Sequence, residues 1–205
     1  MSVEKKIFAE AERLFDVAGV VPYGRDSLLI LGLVTTPEQD LDDFLRDEDG
    51  VFRIRGFEIH AKPRLDSLLH FIKEQGLSAE MVGRLGYPQG EELNLKEQAV
   101  AAGLGSWGKN SLVLNPRFGH WLRLMAVKVM DIALNPTGPG RDNREENPVC
   151  NDCNACIDAC PEGILEPYYL RDRRSCRAEV SKMKQRGELI TCDRCLVVCP
   201  VGRRE

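Results

Sequence analysis

Apolar and polar positions along the chain keep two different periods, and together they predict a mixed fold. Ile7, Phe8, Ala11, Leu14, Phe15 and Ala18 recur at helical spacing and stop before Gly19, so residues 3 to 18 are expected to form an amphipathic helix with a glycine cap. "SLLILGLV" at 27 to 34 is a short apolar run, the pattern of a buried strand. "PEQDLDDFLRDE" at 37 to 48 suggests a short acidic helix. "KPRLDSLLHFIKEQG" at 62 to 76 suggests a longer one, with Leu65, Leu68, Leu69 and Ile72 facing inward. "ELNLKEQAVAAG" at 92 to 103 is a further helix candidate. "SLVL" at 111 to 114 and "WLRLMAVKVM" at 121 to 130 are strand candidates. No regular βαβ repeat joins these elements, so the expected class is α+β.

Length adds a bound: 205 residues can bury one sizeable core with a small satellite, not two full domains. A net charge of -4 gives no general attraction to nucleic acid or anionic membrane. The start, "MSVEKKIFAEAERLF", breaks its apolar residues with Glu and Lys, and shows neither a signal-peptide core nor a twin-arginine motif. No apolar run approaches the roughly 18 residues needed to span a bilayer. A soluble, cytoplasmic protein with no membrane partner is expected. In a reducing compartment, eight cysteines indicate metal or redox chemistry rather than disulfides.

All eight lie between Cys150 and Cys199. The chain is therefore expected to divide near residue 145, within the Pro-, Gly- and Asn-rich stretch "LNPTGPGRDNREENP", into an α/β domain at 1–145 and a cysteine module at 146–205. "CNDCNACIDACP" sets Cys150, Cys153, Cys156 and Cys160 in the pattern C-x2-C-x2-C-x3-C before Pro161. "CDRCLVVCP" repeats its end with Cys192, Cys195, Cys199 and Pro200, and Cys176 stands upstream. This is the bacterial ferredoxin pattern, stretched once. Two-residue gaps let three thiolates meet three corners of a cubane, while the fourth cysteine serves the other cluster. One [4Fe–4S] cluster would then take Cys150, Cys153, Cys156 and Cys199, and the other Cys160, Cys176, Cys192 and Cys195. Two zinc ions in a cross-brace and free buried cysteines are the alternatives. "RAEVSKMKQRGELIT" at 177 to 191 is expected as a helical excursion, its basic residues together with Arg171, Arg173 and Arg174 forming a solvated face.

"AAGLGSWGKN" at 101 to 110 spells G-x-G-x-x-G with Gly103, Gly105 and Gly108, and all but the last letter of a P-loop. Both nucleotide motifs need a strand before the loop and a helix after it, and here the order is reversed. Asn110 also stands where a P-loop has Ser or Thr. A tight helix-to-strand connection would explain one or two of the glycines. The continuation "GKNSLVLNPRFGHWLRL" adds Lys109, Asn110, Arg117 and His120 beside Trp107, Phe118 and Trp121, a set that suits a large, flat, polar-edged cofactor.

That loop, followed by "VKVMDIALNPT" and the cysteine module, resembles the cobalamin-dependent reductases: the tRNA-modifying epoxyqueuosine reductases and the respiratory reductive dehalogenases. The order of motifs agrees over roughly residues 95 to 200. "GRDSLLILGLV" and "FRIRGFEIHAKPRLDSLL" resemble the N-terminal parts of the first family more weakly. The resemblance implies a nitroreductase-like first domain that holds a corrinoid base-off and receives electrons from two adjacent clusters. Gly103, Gly105, Trp107, Gly108, Lys109 and Asn110 would line the corrinoid pocket. The family's acidic proton donor has no clear counterpart: Gln89 falls near its place, with Glu91 and Glu92 close by, and Ile59 replaces the Tyr of a Tyr-His pair before His60. Tyr87, Glu91, Glu92 and His60 are the donor candidates. The chain ends soon after Pro200, without the family's tRNA-binding repeats, so tRNA is not expected as a partner. The implied function is reduction of a small organic substrate by the corrinoid, with electrons from a donor such as ferredoxin or flavodoxin. The alternatives are an electron-transfer or corrinoid-activating protein acting on a partner protein, and an FMN-dependent reductase on the same scaffold.

Overall fold

The apolar run at 27 to 34 lies at the centre of a sheet and is buried on both faces. This computed structural model describes residues 2–46, 52–83, 93–140, 147–172, 174–176 and 192–202. They fall into two compact units, Met1–Leu104 with Leu122–Asp142, and Gly105–Trp121 with Asn143–Glu205. Gly105–Trp121 belongs to the same unit as the cysteines.

In the first unit, β1 (Val17–Tyr23), β2 (Asp26–Val34), β8 (Leu122–Val129) and β5 (Ala79–Gly83) form a four-stranded sheet in the order β1-β2-β8-β5. Every pairing in it is antiparallel. Pairing of Leu31 with Met125 and of Leu29 with Val127 sets one face. Onto that face pack α1 (Val3–Leu14), through Ile7 and Ala11, and α2 (Lys62–Glu74), through Leu65, Leu68 and Ile72. α3 (Leu95–Ala101) packs against β1, β2 and β8. The approach is close at Gly19, where an added Cβ would stand 2.9 Å from the Ala102 Cβ and carbonyl oxygen. Glycine is needed there for packing, and not to cap the first helix.

Three expectations change for physical reasons. The first helix ends at Leu14, because the β-branched run after it pairs with β2, and the hairpin closes through a two-residue turn with Gly24 at φ +62°. The described part of the acidic stretch, 37 to 46, is no helix. Thr36 and Gln39 exchange backbone hydrogen bonds, Thr35 Oγ1 accepts from Leu41 N–H, and Asp40 Oδ1 accepts from Asp42 N–H, and such local bonds compete with a helical ladder. β3 (Phe44–Arg46) follows and pairs with β4 (Phe52–Ile54). Third, α2 is preceded by a π-helical turn at Phe57–Ala61, and β5 is a strand that the sequence pattern did not reveal. The excursion at 177 to 191 lies outside the described residues. Among the described residues, no helix is long and apolar enough to cross a membrane.

Arg123 on β8 donates from Nε to Asp42 Oδ1 at 2.7 Å and from Nη2 to Asp42 Oδ2, a two-pronged pair with both side chains largely buried. Arg123→Met would leave the Asp42 carboxylate without that partner, at an expected cost on the order of 2 kcal/mol, the range for hydrogen bonds to a charged group. The denaturant midpoint should fall at constant slope; an unmoved midpoint would show that the pair contributes nothing to stability.

Candidate metal centre

The two cysteine runs adopt one backbone conformation twice. Ala155–Asp158 and Arg194–Val197 are single helical turns that follow Asn154 (φ -119°, ψ 10°) and Asp193 (φ -115°, ψ 7°). Ile157 and Asp158 donate their N–H groups to the Asn154 carbonyl, and Cys160 to that of Ile157. Leu196 and Val197 donate to Asp193, and Cys199 to Leu196, in the same pattern. One offset relates Cys153 to Cys192, Cys156 to Cys195, Cys160 to Cys199, Pro161 to Pro200 and Gly163 to Gly202. Both glycines sit at positive φ, +58° and +65°, and turn the chain away after the last thiol.

None of the eight cysteines is in a disulfide. Burial raises the Cys156 thiol to about 11, with the charges of Cys150, Cys199 and Cys153 adding to the rise. Burial likewise pushes Cys195 up to about 12, reinforced by Cys192, Cys156, Cys176 and Cys160. Cys199 is raised by burial first, with Cys150 and Cys153 acting in the same direction. Thiolates crowded and desolvated in this way need a cationic partner to ionise, and a soft thiolate set selects zinc or iron–sulfur groups. Among the described residues, no three His, Cys, Asp or Glu side chains converge to hold one metal ion.

The glycine loop is the scaffold for these runs. Lys109 is buried, and its Nζ donates to the Asn151 carbonyl at 2.9 Å and to Asn154 Oδ1 at 3.1 Å, between and beside the first thiols. The next residue, buried Asn110, donates from Nδ2 to the Cys195 carbonyl at 3.4 Å and accepts from Leu112 N–H. Consecutive side chains thus hold the two cysteine runs, one each. Asn147 completes the frame. Its Nδ2 donates to Ser106 Oγ at 2.7 Å and to the Trp107 carbonyl at 3.2 Å, and its Oδ1 accepts from Val149 N–H at the turn Pro148–Cys150. Tyr168 receives the Asn147 N–H on its hydroxyl and donates its own N–H to the Lys109 carbonyl.

Each glycine of the loop has a packing reason. Gly103, at φ +77°, closes α3: its N–H donates to the Val100 carbonyl and Leu104 N–H to that of Ala99. A Cβ on Gly105 would lie 2.6 Å from the Leu114 carbonyl oxygen, where β6 (Ser106–Trp107) pairs with β7 (Val113–Leu114). One on Gly108 would lie 2.7 Å from His120 Cε1. His120 is buried, its Nδ1 hydrogen-bonded to the Val113 carbonyl, and burial lowers its basicity. Gly119 backs so closely on Val201 and Gly202 that neither glycine could carry a side chain.

Trp107, Gly108, Lys109 and Asn110 are therefore brought together, but against cysteine segments. Sequence reasoning missed Asn147, Asn154 and Tyr168 as scaffold residues. An Asn before Pro at the head of a cysteine run is a helix-start signal that could have revealed the first. His60 lies part-buried in the π-helical turn, with Ile59 half-exposed beside it. Tyr87, Gln89, Glu91 and Glu92 lie outside the described residues.

No family model matches the chain. It is 32% identical over 121 residues to the epoxyqueuosine reductase of Listeria monocytogenes, covering 53% of this chain and 30% of that protein. It is 29% identical over 188 residues to that of Leadbetterella byssophila, covering 86% and 59%. The chain thus spans less than two thirds of these curated relatives. Among solved structures, a selenomethionine-labelled epoxyqueuosine reductase superposes with a TM-score of 0.68 at 19% identity, over 98% of this chain and 65% of its own. Another epoxyqueuosine reductase, solved with a tRNA-Tyr stem loop, gives 0.66 at 19% identity over the same shares. A reductive dehalogenase solved in connection with B12-dependent dehalogenation gives 0.69 at 16% identity, over 97% of this chain and 32% of its own. By sequence this chain is a relative of the epoxyqueuosine reductases, and its mixed α/β fold is shared with them and with B12-dependent reductive dehalogenases.

Proposed function

We propose that the chain is an oxidoreductase with a bacterial-ferredoxin-like module holding two [4Fe–4S] clusters, and that it delivers electrons to a corrinoid acting on an organic substrate. The observation that carries the cluster assignment is the repeat: at one offset the two cysteine runs adopt the same backbone conformation. On that pattern Cys150, Cys153 and Cys156 would share a cluster with Cys199, and Cys176, Cys192 and Cys195 one with Cys160. Such an exchange of the fourth ligand is the two-cluster ferredoxin arrangement. When bound, the clusters supply one-electron transfer. The chain's own part is to bury the thiols, hold both runs through Lys109 and Asn110, and fix the Cys150 turn through Asn147.

The corrinoid rests on the relatives, several of them named epoxyqueuosine reductase, and on a fold neighbour named for B12-dependent chemistry. Lys109 and Asn110, which the resemblance would give to it, direct their polar groups to the cysteine segments, so no residue is assigned to it here. That engagement favours a second reading, an electron-transfer or corrinoid-activating protein without a substrate of its own. FMN on the same scaffold is the third. A fold neighbour holds a tRNA stem loop, so tRNA takes its place among the candidate substrates, against the expectation drawn from the short C-terminus. Ferredoxin or flavodoxin in the cytoplasm is the proposed source of electrons.

The test is an anaerobic ultraviolet-visible spectrum with iron counted in the same sample, before and after adding cobalamin and, separately, FMN. A broad cluster band with conversion of cobalamin to its base-off form is the expected result. A cluster band with no corrinoid response would pass the chain to the second reading or, if FMN is retained, to the third. Zinc in place of iron would end the cluster assignment.

A further inference from the structure

The backbone repeat around the cysteines is close to symmetric, but the charges placed on it are not. In the first run the buried Lys109 ammonium sits on the Asn151 carbonyl and Asn154 Oδ1, within the segment that carries Cys150, Cys153 and Cys156. In the second run the scaffold contributes a neutral group instead, Asn110 on the Cys195 carbonyl. The position equivalent to Asn154 is Asp193, a part-buried carboxylate next to Cys192. Asp152, Asp158 and Arg194, the other charges on these turns, are exposed and screened by water. The buried charge dominates because the effective dielectric around it is lower.

Taking the two clusters of the proposed function as the starting point, we infer that Lys109 and Asp193 split their reduction potentials. The cluster held by Cys150, Cys153, Cys156 and Cys199 is the easier to reduce, and the one held by Cys160, Cys176, Cys192 and Cys195 the harder. Reduction adds one electron, and thus one negative charge, to a cluster. A cation fixed beside it stabilises the product and an anion opposes it, and charge and hydrogen bonding are the protein's levers on such potentials. Electrons entering from a low-potential donor would then rest on the first cluster. Lys109 is a positioning and charge-setting residue in this account, not a catalytic one.

The test is an anaerobic redox titration of the reconstituted full-length protein, followed by electron paramagnetic resonance, with dithionite as reductant and iron counted in each sample. In the wild type the two clusters should titrate as separate steps; a single shared step would overturn the inference. Lys109→Gln removes the charge and leaves a shorter, neutral amide donor in its place. It should make the easier cluster at least tenfold harder to reduce, a downward shift of about 59 mV for one electron, with the other unmoved. Lys109→Arg should keep the wild-type gap. Lys109→Gln with full iron and an unchanged gap refutes the inference. Should that variant lose iron, Asp193→Asn decides, since it must narrow the gap from the other side and an unchanged gap there is equally fatal. A wild-type protein that takes up no iron–sulfur cluster is a failure of the proposed function itself, and the iron count reveals it before any variant is titrated.

Discussion

Cys156→Ala is expected to leave the protein with one cluster and about half its iron. Cys156 is the least solvent-exposed of the eight thiols, and the thiols that act on it, Cys150, Cys153 and Cys199, come from both runs. Removing it leaves one iron of a four-thiolate cluster without its protein ligand and open to solvent. The second set, Cys160, Cys176, Cys192 and Cys195, keeps all its members. The measurement is iron per chain together with the cluster absorbance after anaerobic reconstitution. Full retention of iron would refute the ligand partition, and loss of all of it would show that neither half of the module assembles without the other.

Gly105→Val should cost the cysteine module its stability. At the level of sequence Gly105 is a pocket glycine, whose replacement would remove cofactor binding and spare the clusters. In the structure its missing side chain faces the Leu114 carbonyl oxygen at 2.6 Å and Val113 Cγ1 at 2.9 Å. A valine there must push β6 off β7, and β6 carries the Ser106 hydroxyl and Trp107 carbonyl that hold Asn147 at the Cys150 turn. Overpacking against backbone falls at the upper end of its usual cost, about 3 kcal/mol. A lower melting temperature and reduced iron are expected together. Unchanged melting and iron, with the cobalamin response gone, would return Gly105 to a binding pocket.

Much of the metal centre is legible from a single sequence because its determinants are local. Spacings of two and three residues place thiols around one turn of chain, so Cys150 through Cys160 and Cys192 through Cys199 declare themselves without any tertiary information. The same holds for α2, where Leu65, Leu68 and Ile72 form one apolar stripe, and for β2, whose apolar run suits a strand buried on both faces; β8 reads as a strand with alternating faces, yet residues on both of its faces are buried. Local pattern failed where tertiary pairing competed with it. Val17 and Ala18 continued a helical period on paper but paired with β2, and the acidic residues after Thr35 turned on their own side chains.

The glycine loop marks the boundary between the two kinds of information. Its sequence announces glycines, a lysine and an asparagine, which suit a phosphate, a flat cofactor or a tight turn equally well. Its task is fixed by partners far along the chain: Lys109 meets residues 42 and 45 positions away, and Asn110 one 85 positions away. The sequence by itself determined which residues can bind metal, since thiol chemistry and short spacing are properties of a few neighbouring positions. Only the tertiary structure decided what holds them, because a buried ammonium or amide takes its role from whichever carbonyl the fold brings within hydrogen-bonding reach.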